Sequence, residues 1–366
     1  MVNPTRTPPG SPRRVEQSPD SHPQDASAPR AGLAAAAAMF VPVAFALVIG
    51  AIFISVYLAS FHAPRPHDLP VGVVGSTAGA AQVGARLSAQ QPGAFQIRAL
   101  ADAASARSAV KHGDLFAAYV PAGDVPQLLY AGAHGSSVTS VVTTAFTDVA
   151  RAGGRPLEAV DVVPASPRDT RGLVVFYTTF GLVMAGYLFG IMTFQLAPRI
   201  TVAQRLVSLA TFSALGGLTI ALVVGRTGFD VLPAPFLGVA GVVALVAAAV
   251  GASTMLLVRG LGVAGSGIGA VVFMILGNAT SGGSLPPDFL PAWLQPLSSV
   301  LPVGVGVRAI NGLAYFQHDG LGSGIAVLCG WIFVATGLFC ALPGNKALPD
   351  NKKAPTTQGD TSDVLH

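Results

Sequence analysis

The stretch LAAAAAMFVPVAFALVIGAIFISVYLA, residues 33–59, runs for 27 residues without one Asp, Glu, Lys or Arg. As a helix it would extend roughly 40 Å, more than the ~30 Å hydrocarbon core of a bilayer. A signal peptide has an apolar core of only about 7–15 residues and a small-residue cleavage site after it. This run is too long for that and reads as a transmembrane helix. Working outward, residues 172–196, 206–225, 236–258, 261–278 and 321–342 are also apolar runs free of all four charged residue types. Hydropathy therefore predicts six spans in an α-helical polytopic membrane protein.

Composition agrees. The chain is 51% hydrophobic and only 10% charged, with a mean hydropathy of +0.60. Soluble domains carry about 25% charged residues, so this chain cannot cover a water-facing surface, and the lipid bilayer is its expected surrounding. The net charge is +4 and the pI near 9.3, but the basic residues are scattered singly, and no nucleic-acid partner is expected. Cys329 and Cys340 lie in one apolar run, about 16 Å apart along a helix, too far for a disulfide. Arginine outnumbers lysine 17 to 4 and alanine, glycine and valine dominate, which points to a GC-rich bacterial genome and a bacterial plasma membrane.

Orientation follows from charge in the short loops. With a cytoplasmic amino terminus, the inside segments carry Arg13, Arg14 and Arg30, then Arg199 and Arg205, then Arg259, then Lys346, Lys352 and Lys353. The outer loop after the third run has only Arg226. Both termini are expected in the cytoplasm, a parity that six spans satisfy. Residues 1–32 and 343–366 read as disordered cytoplasmic tails, the first with seven prolines before residue 31. Helix one then covers 33–60, an extracytoplasmic domain 61–171, and the transmembrane domain 172–342.

The long loop 61–171 alternates strand-like runs at 69–74, 94–100, 115–120, 127–130 and 159–163 with helical stretches near 80–89, 103–111 and 140–150. Strands alternating with amphipathic helices predict a small α/β domain. Pro121, Gly123 and Asp124 mark a turn within it. Residues 281–317 hold five prolines among large apolar residues, too broken for a span and too apolar for a free loop. A re-entrant element is the expectation. Phe289, Leu290, Trp293, Leu294 and Leu297 fit a short helix with one apolar face, Trp293 suits an interfacial depth, and a second helix over 305–316 would let Arg308 snorkel to the outer headgroups.

Catalytic chemistry is not legible. No phosphate-binding loop of the form GxxxxGK[ST] exists, and Gly265, Gly267 and Gly269 read as packing residues, as do Gly181 and Gly186. His62, His67 and Asp68 are a weak metal constellation on an irregular stretch, and Ser136 and Ser137 lack a nucleophile elbow. Neither cofactor nor metal is expected, and the chain is not read as an enzyme. The spans offer only hydroxyls such as Thr178, Thr179, Thr211, Ser213, Ser253 and Thr254, which tend to bond back to their own helix. Without intramembrane charge to hold a coupling ion, energy for transport would have to arrive from elsewhere.

One span, an outer α/β domain, five spans and a proline-rich element before the last form a recognisable pattern. Ser281-Gly282-Gly283-Ser284-Leu285-Pro286-Pro287, then Leu301-Pro302-Val303-Gly304 and Ala309-Ile310-Asn311-Gly312, resemble the signature of permeases of the ATP-binding-cassette exporter superfamily of the second type. Residues 69–74, 106–113 and 117–121 resemble the opening of the phage-infection-protein-like outer domain of one branch. The resemblance implies a homodimer or paired permease working with a separate cytoplasmic ATPase subunit and exporting a lipophilic or cell-envelope substrate. On that basis Arg199 and Arg205 form the ATPase-coupling loop. Gly282, Gly283, Pro286, Pro287, Trp293 and Arg308 form the outer gate, with the two glycines as its hinge. The alternative is a membrane-anchored surface receptor or secretion accessory protein acting through its outer domain, although six spans are extravagant for an anchor.

Overall fold

The computed structural model describes residues 28–169 and 171–342, with side chains from residue 39 onward. Residues 1–27 and 343–366 of the expected tails, with Arg13, Arg14, Lys346, Lys352 and Lys353, lie outside the described residues, as does the side chain of Arg30, while residues 28–32, expected in the first tail, are helical. The chain divides into a first unit ending at Val48 and a second beginning at Ile49. The described part of the first unit is helical, contains Pro42 and exposes Met39, Phe40, Val41 and Leu47. It is the amino-terminal part of α1 (Ala28–Phe61).

The second unit continues with a five-stranded sheet. Its elements are β1 (Leu69–Val74), α2 (Thr77–Gln90), β2 (Phe95–Leu100), α3 (Ala103–His112), β3 (Ala117–Val120), β4 (Gln127–Tyr130), α4 (Ser136–Ala152) and β5 (Glu158–Asp161). The strand order is β2-β1-β3-β4-β5, parallel except for the antiparallel β3–β4 pair, whose connection holds the expected Pro121, Gly123 and Asp124 turn. Period-2 alternation splits the strands cleanly. Leu69, Val71, Val73, Ala117, Tyr119 and Leu128 pack with α2 and α4, whereas Ala118, Val120 and Leu129 pack with α3. Local chemistry sets the helix ends. Ser76 caps α2, Asp102 and Ser105 form a reciprocal capping box on α3, and Gly113 ends α3 in the left-handed conformation at φ 82°. The sequence placed α4 near 140–150, but it begins four residues earlier, at Ser136.

Then come α5 (Val174–Gln195), α6 (Val202–Val224), α7 (Phe236–Leu261), α8 (Val263–Ala279, with a π-helical segment over Ala270–Leu276), α9 (Gln295–Val300), α10 (Pro302–Ala314) and α11 (Leu321–Ala341). Among the described residues, five helices are long and apolar enough to cross a membrane: α1 over Met39–Phe61, α5, α6, α7 and α11. The chain is thus a mostly helical, polytopic membrane protein. The predicted run at 261–278 forms α8, whose 17 residues span about 25 Å.

Within the bundle α7 is central, with a 61% buried apolar window against 22–39% for α5, α6 and α11. Small residues permit its close contacts. A methyl on Gly190 would lie 2.5 Å from Thr254 Cβ, one on Gly186 3.0 Å from Ala247 O, and one on Gly217 would overlap Ala240 O. Gly265 cannot carry a side chain because α8 turns back against Leu257 O, and Gly269 lies under the Tyr187 ring. Gly181, also expected to pack, instead faces open space. Thr179, Thr211 and Ser253 donate to carbonyls one turn back, as expected, while Ser213 and Thr254 are buried without a hydrogen-bond partner.

Overpacking a close helix contact costs about 1–3 kcal/mol. Gly217→Ala should therefore lower the thermal midpoint of the detergent-purified protein by several degrees, followed by circular dichroism, whereas Gly181→Ala should leave it unchanged or raise it. Equal midpoints for the two variants would contradict the α6–α7 contact.

Candidate functional site

Five prolines between 286 and 302 keep the segment after α8 from being one helix. Pro286, Pro287 and Phe289 make a short 3₁₀ turn, and Leu290, preceding Pro291, is extended at ψ 154°. The apolar spacing of Phe289, Leu290, Trp293, Leu294 and Leu297 predicts a helix there, which is a misreading. Pro291 displaces the helix to α9, at Gln295, and Phe289, Leu290 and Leu294 are buried from the 3₁₀ turn and the segment that leads into α9. The second helix, expected over 305–316, begins instead at Pro302, because proline at the first helical position loses no bond. Trp293 is 63% exposed, in keeping with an interfacial place.

The signature glycines have local causes. Gly282 adopts φ +73°, a left-handed conformation, with Pro287 beside it. Gly283 meets Phe176 of α5, where a methyl would stand 2.7 Å from Cβ. Gly304 and Gly312 approach the carbonyls of Ser298 and Asp319 too closely for any side chain. Arg308, expected to snorkel, is paired instead with Asp319, Nη2 to Oδ2 at 3.0 Å and Nε to Oδ2 at 3.3 Å.

The α/β domain lies against this element with the amino-terminal ends of its parallel strands. His67 N, just before β1, donates to Asp288 O at 2.7 Å, Phe289 enters the core beneath α2 and α4, and Phe316 enters the core beneath α3. His134 lies between Phe116, tilted at 44°, and Phe316, stacked at 20°, with centroids 4.3 and 4.4 Å away. Its Nε2 is buried with no hydrogen-bond partner, and burial lowers its pKa from 6.5 to about 3. Connections brace the arrangement. Asp169, 7% exposed, accepts from Leu173 N and Val174 N, both at 3.0 Å, capping α5, and Arg168 pairs with Asp230 of the α6–α7 loop.

Between domain and proline-rich element lies a cavity of ≈ 350 Å³. Gly282, Gly283, Pro286, Pro287 and Arg308 all line it, and the structure brings these predicted gate residues together; Trp293 is not among the lining. His134, Asp288, Asn311 and Asp319 also line it, and sequence reading singled out none of them. Burial raises the pKa of the Asp288 carboxyl and is the largest effect, while its own backbone N–H and then the positive charge of Arg308 lower it. A second crevice, ≈ 330 Å³, opens at the opposite, carboxyl ends of β1 and β3, beside Gly75, Ser76, Arg86 and Arg155.

At the far end of the bundle, Arg205 is only 5% exposed. Its guanidinium donates to Thr193 O, to Thr193 Oγ1 at 3.2 Å and to Ala197 O at 2.9 Å, and it stacks 4.1 Å over the Phe194 ring. Arg199 on the same turn is exposed. Arg259, at the end of α7, donates to Leu342 O at 2.6 Å and lies over Phe339 of α11. Among the described residues no group of three His, Cys, Asp or Glu could hold a metal ion. The chain matches no known family model, no curated protein and no solved structure.

The buried imidazole makes the docking of the domain pH-dependent. His134 stays neutral inside down to about pH 3, while once exposed it binds a proton below about 6.5. Its contribution is therefore complete above pH 6.5 and lost as pH falls toward 3, by about tenfold in the closed-to-open ratio per pH unit. Thermal midpoints should decline between pH 6.5 and 4, and His134→Phe should flatten that decline. An unchanged slope in the variant would assign it to other groups.

Proposed function

We propose that this chain is the permease subunit of an ATP-binding-cassette exporter, moving a lipophilic or cell-envelope substrate outward with energy from a separate cytoplasmic ATPase, as a homodimer or paired permease in a bacterial plasma membrane. The observation that carries this reading is a helix bundle with two unlike ends. One end bears the cavity beneath the α/β domain, and the other gathers Arg199, Arg205 and Arg259.

Six crossings with both termini cytoplasmic fit the contacts. The α7–α8 junction lies by the α11 terminus through Arg259 and Leu342, while Asn278, at the other end of α8, donates to the Tyr57 hydroxyl near the end of α1 that leads into the domain. In this reading α8 crosses despite its length, with a π segment and glycines packed against α5 and α7. The arginine end is then the cytoplasmic one by the positive-inside rule, and the α/β domain is extracytoplasmic. The α5–α6 turn is the docking surface. Arg205 ties the turn to the end of α5, so a push on exposed Arg199 is transmitted to two helices rather than lost in a flexible loop. The proline-rich element is the outer gate, and any hinge at Gly282 must work around the Phe176 contact of Gly283.

Topology is tested with single cysteines in a background lacking Cys329 and Cys340. Ser137→Cys should react with an impermeant thiol reagent in intact cells and Arg199→Cys only after permeabilisation; labelling of both from outside would sink the arrangement. Coupling is tested by co-purification with the ATPase. Arg199→Glu should lower transport per ATP hydrolysed about tenfold or more, since a misplaced like charge costs several kcal/mol. Normal coupling with normal membrane levels would count against this docking site.

A further inference from the structure

The order β2-β1-β3 puts the first and third strands side by side while the crossovers on either side of β2 run over opposite faces of the sheet. α2 carries β1 to β2 on the face of Val71 and Val73, and α3 carries β2 back to β3 on the face of Ala118 and Val120. At such a switch point the chain leaves a crevice outside the carboxyl ends of the strands, which is where open α/β sheets hold their ligands. The crevice at the ends of β1 and β3 occupies ≈ 330 Å³, within the roughly 300–1,000 Å³ of small-molecule sites. Its charge is one-sided. The lining includes Arg86 and Arg155 and no Asp or Glu. Among the described residues the ion-paired arginines are Arg151, Arg168 and Arg308, so neither crevice arginine has a carboxylate. Arg155 is nonetheless held in place. Its Nη1 donates to Pro121 O at 3.2 Å and to Gly123 O at 3.4 Å, in the turn after β3, and among the described residues nothing engages its Nε or Nη2. Arg86 stands two turns beyond Gly79 on the same face of α2, and a methyl on Gly79 would meet nothing nearer than Ser76 Oγ at 3.4 Å, so the space between is open.

We propose that this crevice binds a small organic molecule through an oxyanion, a phosphate or carboxylate group held by Arg155 and Arg86, with its carbon part against Val83, Tyr119 and Val149. A guanidinium presents planar, paired donors that match the geometry of such a group. With one nitrogen already fixed to the β3–β4 turn, Arg155 loses little freedom when its other donors are taken up. The start of α2 at the rim, capped by Ser76, adds the positive end of a helix dipole, a lesser contribution that would not make a site alone. A cationic ligand would face two arginines and no carboxylate, and a neutral one would leave their charge unmatched. The cavity at the other end of the sheet lacks this bias, since Asp288 and Asp319 accompany Arg308 there. The inference rests on the sheet and its crevice and not on export, and binding requires no ATPase.

The test uses the full chain purified in detergent and phosphate-free buffer, with water-soluble probes on one diol skeleton: glycerol phosphate, glycerate, neutral glycerol and cationic aminopropanediol. Binding is read by saturation-transfer NMR and calorimetry. At least one of the two anions should bind at roughly millimolar affinity, as expected of so small a ligand, and the stronger of them tells phosphate from carboxylate. Glycerol and aminopropanediol should not bind. R86Q and R155Q should each weaken the anion about tenfold or more, whereas R107Q, on α3 and outside the crevice, should leave it unchanged. Silence of both anions, equal binding of glycerol or aminopropanediol, or equal losses in R86Q and R107Q would each overturn the proposal. Should R155Q loosen the β3–β4 turn, R86Q and the charge series on the unaltered chain still decide. Since no nucleotide or transport enters the measurement, a chain that binds the anion yet never couples to an ATPase refutes export alone, and a coupled exporter that ignores both anions refutes the crevice alone.

Discussion

Everything at the domain end of this protein depends on one constraint, that backbone polar groups within or beside lipid must find partners in the protein itself. Pro286, Pro287, Pro291, Pro296 and Pro302 break the chain after α8 into pieces that cannot satisfy themselves as one helix. The pieces close on short bonds instead: Phe289 N to Pro286 O at 3.0 Å, Leu290 N to Pro287 O at 2.9 Å and Leu294 N to Pro291 O at 2.8 Å. What remains is covered from outside. His67 N reaches Asp288 O from the α/β domain and Trp331 Nε1 reaches Val300 O from α11, while Gln295 Nε2 of the element itself reaches Leu290 O. Without the domain above it, this element would expose both its backbone and the Phe289 side chain, so domain and element form one structural piece.

The same constraint explains what was legible in the sequence. A charge-free run declares itself by length and composition, and all six runs are helical, with α8 the shortest. The strands and helices of the domain were legible because apolar residues recur with periods of two and near four over enough positions. Boundaries set by caps were less so, and α4 begins at Ser136 because Gly135, at φ 93°, not a periodic apolar residue, turns the chain into it. The apolar spacing from Phe289 to Leu297 misled, since burial there is imposed by tertiary covering and Pro291 overrides the helical period. The cavity was half legible. Its glycines and prolines stood out by composition, whereas His134 and Asp288 come from segments 154 residues apart and meet only through the docking of the domain.

Arginine supplies a second lesson about positions that look alike in sequence. Arg199 and Arg205 bracket one turn and carry the same charge, yet one is exposed and the other nearly buried. The difference lies in the geometry of helix ends. The last carbonyls of α5 have no intrahelical partners. A planar guanidinium with five donors, brought back one turn into α6, can satisfy several of them together while stacking on Phe194. Lysine, with a point charge on a flexible stem, could not reproduce that fork. Arg205 is thus a brace whose charge is favourably placed at a helix carboxyl terminus, and the turn it stiffens is the part that Arg199 presents.

The two ends of the sheet have diverged for a related reason. At the amino-terminal ends of β1 and β3, Leu69 and Phe116 are buried, and Phe116 joins His134 and Phe316 in a cluster of rings beside the cavity between domain and proline-rich element. At the carboxyl ends the chain turns through Gly75 into the start of α2, and Arg86 and Arg155 border an open crevice. Linkers tighten this division, since Asp169 locks the domain exit onto the first turn of α5 and Arg168 ties it to the α6–α7 loop. Movement of α10, which leads directly into Phe316, must therefore either carry the domain with it or part the three-ring stack. Parting the stack would bring His134, the one ring nitrogen held dry, into water. The α/β domain is in this way mechanically part of the proline-rich element, and its position is set by the same few aromatic rings that border the cavity.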